Sequence, residues 1–159
     1  MPTDREQIPD MDIRLVEAQD SEEILRWRND AVTRAMSLDS EIVDAEQHEK
    51  WFARLLNDQR RIALVGTAGG KAIGWVRFDP LAGQNEFLVS ISVAPESRSK
   101  GMGSQLLGLA LRHLRGSCRE PIVYAKVKDS NVSSLKVFQK HGFQNSEEVD
   151  LLHTLILSN

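Results

Sequence analysis

The chain has 159 residues, of which 41% are hydrophobic and 27% charged, so it can form one globular domain with a buried core but not two. Lys and Arg number 20 against 23 Asp and Glu, and a net charge of -3 argues against a protein that wraps nucleic-acid phosphates. A single cysteine, Cys118, excludes an internal disulfide and a thiolate metal cluster within one chain.

The N-terminus carries no targeting pattern. Residues 1–11 are polar and acidic, and they are predicted to form a mobile leader rather than a signal peptide. The longest apolar stretch, at 106–111, is far too short to span a bilayer. We therefore expect a cytoplasmic domain at 12–159 with neither a membrane nor a nucleic-acid partner.

Two helices are predicted after a first strand at 13–18. Asp20 opens a short helix, and Glu23 is placed to close a capping box on Asp20. Asp44 repeats this signal before a second helix. The apolar face of that second helix contains His48, Trp51, Phe52, Leu55 and Leu56.

The rest of the chain predicts five strands and two helices. The predicted strands lie at 61–67, 72–78, 86–93, 121–127 and 151–157, and the predicted helices lie at 101–114 and 131–141. The resulting order, β-α-α-β-β-β-α-β-α-β, indicates one α/β domain. We expect a mixed, mostly antiparallel central sheet with helices flanking it.

A glycine-rich turn leads from the strand at 86–93 into a helix. Gly101 and Gly103 allow a ligand to approach the backbone, and the free N–H groups of a helix start attract anions. Arg98 and Lys100 add positive charge, so the turn is typical of a pyrophosphate site. It matches neither a P-loop nor a dinucleotide fingerprint. A plain helix start, with glycines for tight packing, is the alternative interpretation.

A second segment strengthens the pyrophosphate interpretation. The pattern R-x-x-G-x-G starts at Arg98, and N-x-x-S-x-x-x-F-x-K-x-G-F starts at Asn131. Together they resemble the two signature segments of the Gcn5-related N-acetyltransferase (GNAT) superfamily, over about residues 13–157. The resemblance implies an acetyl-CoA-dependent acetyltransferase with the GNAT fold, in which the parallel strands at 86–93 and 121–127 splay apart.

The resemblance also implies how acetyl-CoA is held. The pantetheine arm would bond the backbone of Ile91 and Val93 like an added strand, and the N–H near Val93 would stabilise the oxyanion. The pyrophosphate would rest on the glycine-rich turn, and Asn131 would reach the arm from the next helix. The implied cofactor contacts are Ile91, Ser92, Val93, Arg98, Ser99, Lys100, Gly101, Met102, Gly103, Ser104, Asn131, Ser134 and Lys140.

Two general bases remain open. Glu86 heads the strand that leads into the turn, where relatives often carry a catalytic carboxylate, and a solvated strand-end carboxylate is its alternative interpretation. His48 titrates in a range that suits proton removal from an amine, but it lies on an apolar helix face, where a packed histidine is the alternative. Relatives that acetylate ribosomal proteins use a Glu at the position of Lys126, which argues against that activity.

The proton donor for the leaving thiolate is open as well. Many relatives carry Tyr where this chain has Phe138, and Phe donates no proton. Tyr124 is the chain's one phenol, and a half-buried strand aromatic is its alternative interpretation. Ser134 or ordered water are further candidates. Cys118 is not expected to carry the acyl group, because no thiolate-activating pattern surrounds it.

The N-terminal third resembles the nucleotide-linked amino-sugar N-acetyltransferases of the pseudaminic-acid type. The resemblance rests on W-R-N at 27–29 and on E-x-H-x-x-W at 46–51. It implies a small-molecule amine acceptor, the 4-amino group of a sugar nucleotide. Arg28 suits its diphosphate, Asn29 and His48 suit its hydroxyls, and Phe52 offers a stacking face. A surface charge for Arg28 and a core position for Phe52 are the alternative interpretations.

Other acceptors share this pattern. Protein α-amines, aminoglycosides and polyamines remain alternatives, and a non-catalytic acyl-CoA-binding module would explain the missing tyrosine at 138. The family's tendency toward dimers implies a homodimer.

Overall fold

The computed structural model describes residues 10–158, which form a seven-stranded sheet flanked by helices. The strands are β1 (Met11–Leu15), β2 (Ile62–Ala68), β3 (Lys71–Pro80), β4 (Glu86–Val93), β5 (Ile122–Lys128), β6 (Gln144–Val149) and β7 (Leu152–Leu157). The helices are α1 (Ser21–Asn29), α2 (Ala31–Met36), α3 (Ala45–Asn57), α4 (Met102–Ser117) and α5 (Val132–Lys140). Within this part of the chain, every helix is too short or too polar to cross a bilayer.

The predicted α/β class is confirmed, with one shift at the start of the domain. Strand β1 begins at Met11, not at residue 13, and the Met11 side chain is buried in the core. Residues 1–9 of the predicted leader lie outside the described residues. The predicted bounds of β4 match the structure, because its apolar pattern ends sharply before Pro95.

Two elements were missed by the sequence interpretation, and two predicted details are wrong. Helix α2 and strand β6 were not predicted. The expected capping box between Asp20 and Glu23 is wrong, because the Asp20 carboxylate accepts two hydrogen bonds from Arg14, both of 2.8 Å. Leu56 is 41% exposed, so the buried face of α3 ends at Leu55.

Strands β4 and β5 are parallel and part after a short contact. The sheet order is β1-β2-β3-β4-β5-β7-β6. β5 pairs with the first three residues of β4 only, ending at the Leu88–Tyr124 pair. Beyond that pair, β4 follows β3 up to Val93 and β5 follows β7. The predicted splay is therefore present, and it leaves facing backbone edges without a strand partner.

Helices cover both faces of the sheet and enclose two apolar cores. The core between α4 and the sheet includes Leu106, Leu107, Leu114, Val76 and Phe78. The core under α1 and α3 includes Ile24, Trp27, Phe52, Val65 and Trp75. Consecutive strand residues point to opposite faces, which is why Trp75 and Val76 belong to different cores. Burial of one such large side chain contributes roughly 1.5–3 kcal/mol.

Gly74 allows β3, β4 and α4 to approach one another closely. A Cβ at this position would lie 2.6 Å from the Ser92 carbonyl oxygen and 3.0 Å from a methyl group of Leu106. The Ser92 oxygen belongs to the backbone and cannot rotate away. Any side chain at residue 74 would therefore displace the end of β4.

We expect Gly74→Ala to lower the free energy of unfolding by about 1–3 kcal/mol, as overpacking does in other cores. Gly66→Ala is the matched control, because its Cβ would meet the flexible end of Leu106 at 2.7 Å and no backbone atom. Urea unfolding of both variants measures the difference. Equal losses would contradict the assignment of the constraint to the β4 backbone.

Candidate active site

The gap between β4 and β5 opens into two adjoining cavities. The first, the cofactor cavity, has a volume of about 560 Å³, and the second, the acceptor cavity, about 370 Å³. They meet where β4, α2 and α5 come together. The residues that line both are Thr33, Met36, Ser37, Ile91, Ser92, Asn131, Ser134 and Phe138.

The start of α4 forms one wall of the cofactor cavity. The N–H groups of Met102, Gly103 and Ser104 have no hydrogen-bond acceptor within residues 10–158, as the first turn of a helix requires. Left-handed backbone at Ser99 (φ 64°) and Gly101 (φ 72°) shapes the turn before them. These donors and the helix dipole attract a phosphate group.

The Arg98 side chain forms hydrogen bonds with α2 and its N-terminal cap. Its Nη2 donates to the Asp30 carboxylate at 2.6 Å and to the Thr33 hydroxyl at 2.7 Å. The hydrogen bonds from Arg98 and from the Thr33 N–H hold the pKa of Asp30 below its usual value. Arg98 therefore fastens α2, which Asp30 caps, to the turn that precedes α4.

Most of the predicted cofactor contacts lie together. Lys100 and Lys140 are exposed and line neither cavity, so of the two charges predicted at the turn only Arg98 borders the site. Ser104 lines the cofactor cavity, but its hydroxyl lies 3.0 Å from His141 Nε2. The predicted residues in the cofactor cavity are Ile91, Ser92, Val93, Arg98, Ser99, Gly101, Met102, Gly103, Ser104, Asn131 and Ser134.

The acceptor cavity exists because β4 presents serines on one face. Cross-strand pairs join Trp75 to Ser92 and Arg77 to Ser90, and all four side chains line the cavity. The small serines leave space that larger strand residues would fill. Serines at alternate positions of an apolar strand were the signal that could have predicted this cavity.

Three of the predicted acceptor contacts serve the fold instead. Phe52 is 3% exposed, lies in the core under α1 and α3, and lines neither cavity. The Asn29 amide exchanges two hydrogen bonds with the backbone of Val43, at 2.8 and 2.9 Å, and so holds the loop before α3. His48 is 1% exposed. Of the four predicted contacts, only Arg28 lines the acceptor cavity.

The buried His48 side chain contacts Arg28. Its Nε2 donates to the Ser21 carbonyl oxygen at 2.9 Å, so Nδ1 is the acceptor that faces Arg28 Nη1 at 3.4 Å. Burial, and then the charge of Arg28, keep the pKa of His48 below 6.5. His48 is therefore a neutral, packed histidine, and the prediction that it acts as the base is not supported by its position.

Glu86 and Tyr124 lie outside both cavities. Glu86 shares a face with Ser90 but precedes it by four residues, about 13 Å along the strand. Tyr124 lies at the last pair before the strands part, two residues before Lys126, which does line the acceptor cavity. Neither predicted catalytic side chain reaches the junction of the cavities.

The junction itself carries hydroxyl groups. Phe138 lines it and packs edge-on against Phe143, with ring centres 4.9 Å apart, so no phenol is present there. The hydroxyls of Ser92 and Ser134 line both cavities and form no hydrogen bond within the described part of the chain. Two adjoining cavities that meet at such groups give the protein room for two ligands side by side.

Comparison with known proteins identifies the family of this chain. The model of the acetyltransferase (GNAT) family matches residues 22–143. YwnH of Bacillus subtilis, named provisionally as a phosphinothricin acetyltransferase, is 30% identical over 138 residues, which cover 84% of this chain and 83% of that protein. The chain therefore belongs to the GNAT family and is an acetyl-CoA-dependent N-acetyltransferase.

Solved structures agree with this fold. One, also named provisionally as a phosphinothricin N-acetyltransferase, is 28% identical with a TM-score of 0.78, and the match covers 94% of this chain and 98% of that one. The structure of yncA from Salmonella typhimurium, which contains acetyl-CoA, is 22% identical with a TM-score of 0.76 and covers 94% of each chain.

The residues present fit acetyl-CoA. The α4 N–H groups suit its pyrophosphate, and the unpaired edge of β4 near Ile91 and Val93 suits its amide-rich arm. A Cβ on Gly103 would make an ordinary van der Waals contact, at 3.4 Å, with a methyl group of Val93.

We expect Gly103→Glu to weaken acetyl-CoA binding at least a hundredfold, because it places bulk and negative charge where the phosphates bind. Gly116→Glu is the matched control in the last turn of the same helix, where a new Cβ meets no atom within 4 Å. Isothermal titration gives both affinities, and circular dichroism checks the fold. Equal affinities for the two variants would contradict the phosphate site.

We expect the stability of the protein to depend on His48 below neutral pH. Its pKa is lowered on folding, so its contribution is present above pH 6.5, the ordinary pKa, and is lost as the pH falls through the folded value. The slope reaches at most about 1.4 kcal/mol per pH unit for one proton. Urea unfolding from pH 7 to 5 should give a flatter profile for His48→Gln, and identical slopes would contradict this assignment.

Proposed function

We propose that the protein acetylates the primary amine of a small, free acceptor of amino-acid size. The observation that carries this proposal is the acceptor cavity, which meets the cofactor cavity at Ser92 and Ser134. Acetyl-CoA supplies the activated acetyl group when it is bound. The chain's own residues position the amine beside it, and the effective concentration of two substrates held in this way contributes much of the rate.

The size of the acceptor cavity supports a compact acceptor. Its volume of about 370 Å³ lies near the lower end of the range for small-molecule sites. Relatives named after phosphinothricin, an amino-acid analogue, agree with this size. The sugar nucleotide predicted from the sequence is less favoured, because Asn29, His48 and Phe52 line neither cavity.

Proton transfers can use groups around the two cavities. Asp39 and Glu41 are exposed on the loop at the mouth of the acceptor cavity, where they can take the proton that the amine must lose. The Ser134 hydroxyl at the junction is the polar group placed to donate toward the leaving thiolate. The predicted homodimer and cytoplasmic location do not enter this proposal and stay predictions.

The test is a thiol-release assay with acetyl-CoA and a panel of amines. We expect kcat/KM for free amino acids to be at least tenfold higher than for peptides with a free N-terminal amine, for spermidine or for a UDP-linked amino sugar. Ser90→Phe should raise the KM for the acceptor at least tenfold and leave acetyl-CoA affinity within twofold, because Ser90 lines only the acceptor cavity. Ser40→Phe, on the exposed loop outside both cavities, is the control.

The other outcomes identify the competing functions. A higher kcat/KM for the UDP-linked amino sugar would restore the acceptor predicted from the sequence. Binding of acetyl-CoA without turnover on any amine would indicate a non-catalytic acyl-CoA-binding module.

A further inference from the structure

Arg28 places a positive charge at the acceptor cavity without a carboxylate partner. Its guanidinium lies over the Trp51 ring, with Cζ 4.5 Å from the ring centre, and its Nη1 faces the neutral His48. No carboxylate oxygen of residues 10–158 lies within 4.0 Å of it. Burial and the nearby charge of Arg77 lower the pKa of Arg28, although an arginine stays protonated at neutral pH.

Arg77 adds a second charge to the same place. Its Cζ lies 5.0 Å from the centre of the Trp51 ring, so one indole supports both guanidiniums. Asp79 accepts a hydrogen bond from Arg77 Nε at 2.9 Å, and the two Nη groups of Arg77 form no hydrogen bond to the described residues. Arg77 therefore keeps two nitrogens free to donate to an anion, and the like charges of the two half-buried guanidiniums over one ring repel each other.

We propose that Arg28 and Arg77 form a binding site for an oxyanion of the acceptor, and that the acceptor is therefore a primary amine that also carries a carboxylate or a phosphorus oxyanion. The inference rests on the proposed function of the acceptor cavity. Guanidinium groups bind such oxyanions through paired, charge-assisted hydrogen bonds. Both positive charges are already held in the cavity before an anion binds. Binding an anion therefore reduces their repulsion and also forms these hydrogen bonds.

The position of the pair suits a compact anionic amine. Arg77 pairs with Ser90, and Ser92 at the junction lies two residues further along β4, about 7 Å away. A molecule of amino-acid size can therefore hold its oxyanion at the arginines and its amine at the junction.

Two carboxylates offset part of this charge: Asp79 pairs with Arg77 through Nε at 2.9 Å, and Asp39 acts on Arg28 from beyond 4.0 Å. Asp39 and Glu41 lie on the exposed loop at the mouth, where solvent screens them, and Lys126 adds a further positive charge on β5. The same set of charges disfavours polyamines, because a second cationic group would face the two arginines.

The test compares amino acids with their α-carboxamides, which replace the α-carboxylate by a neutral group of similar size. The panel is alanine and methionine, each with its carboxamide, and glutamate and phosphinothricin as acids that carry a second anionic group. The wild type should prefer the acid at least tenfold in kcat/KM for its best substrate. Arg28→Gln should raise the KM for the acid at least tenfold and change the KM for the carboxamide less than twofold.

Three variants complete this experiment. Arg28→Lys should recover part of the preference, because it keeps the charge but loses the paired geometry. Arg77→Gln should also reduce the preference, which provides a second variant if Arg28→Gln fails to fold. Arg54→Gln, an exposed arginine of α3 outside both cavities, should match the wild type. Equal use of acids and carboxamides by the wild type would overturn the inference while leaving the proposed function intact.

A binding measurement separates this inference from the proposed function. Isothermal titration with the N-acetyl derivatives of the same acids and carboxamides requires no turnover. Preferential binding of the N-acetyl acids, lost in Arg28→Gln, supports the oxyanion site even if no amine is acetylated. Absence of that preference overturns the site even if amines are acetylated.

Discussion

The active site depends on the early parting of two parallel strands. β4 and β5 share only three pairs, which end at Leu88 and Tyr124, while each strand stays paired with its other neighbour up to its own end. Parallel strands that stayed paired would satisfy their backbone groups within the sheet and leave no gap. The parting thus leaves an unpaired edge on β4, where we expect the arm of acetyl-CoA, and the gap in which we propose that the amine meets it.

Close packing behind the gap keeps its wall in position. Gly74 brings the backbone of β4 against β3, and the large core under α4 fixes the helix whose first N–H groups face the cofactor cavity. On the opposite face, the small core under α1 and α3 holds His48 beneath Arg28. The core under α4 therefore supports the free N–H groups of the helix start, and the core under α1 and α3 supports Arg28.

Sequence reasoning succeeded where the local pattern carried the information. The alternation and the terminal proline located β4, and the glycine turn located the cofactor cavity. α2 and β6 escaped because α2 has six residues and is held by Arg98 from far along the chain, while all six residues of β6 are exposed and show no alternation. His48, Asn29 and Phe52 form a recognisable pattern, but the burial of His48 and Phe52 and the Asn29 hydrogen bonds to Val43 show that it supports packing. Only the tertiary structure shows that no carboxylate oxygen of residues 10–158 lies within 4.0 Å of Arg28.

The contact of Arg98 with Asp30 and Thr33 limits which parts of the site can change independently in evolution. The turn that serves the cofactor and the short helix that borders the acceptor are fastened by the same side chain. A change of α2 that removes Asp30 would therefore also release the turn before α4. A change at Ser90, which lines only the acceptor cavity, leaves this contact in place.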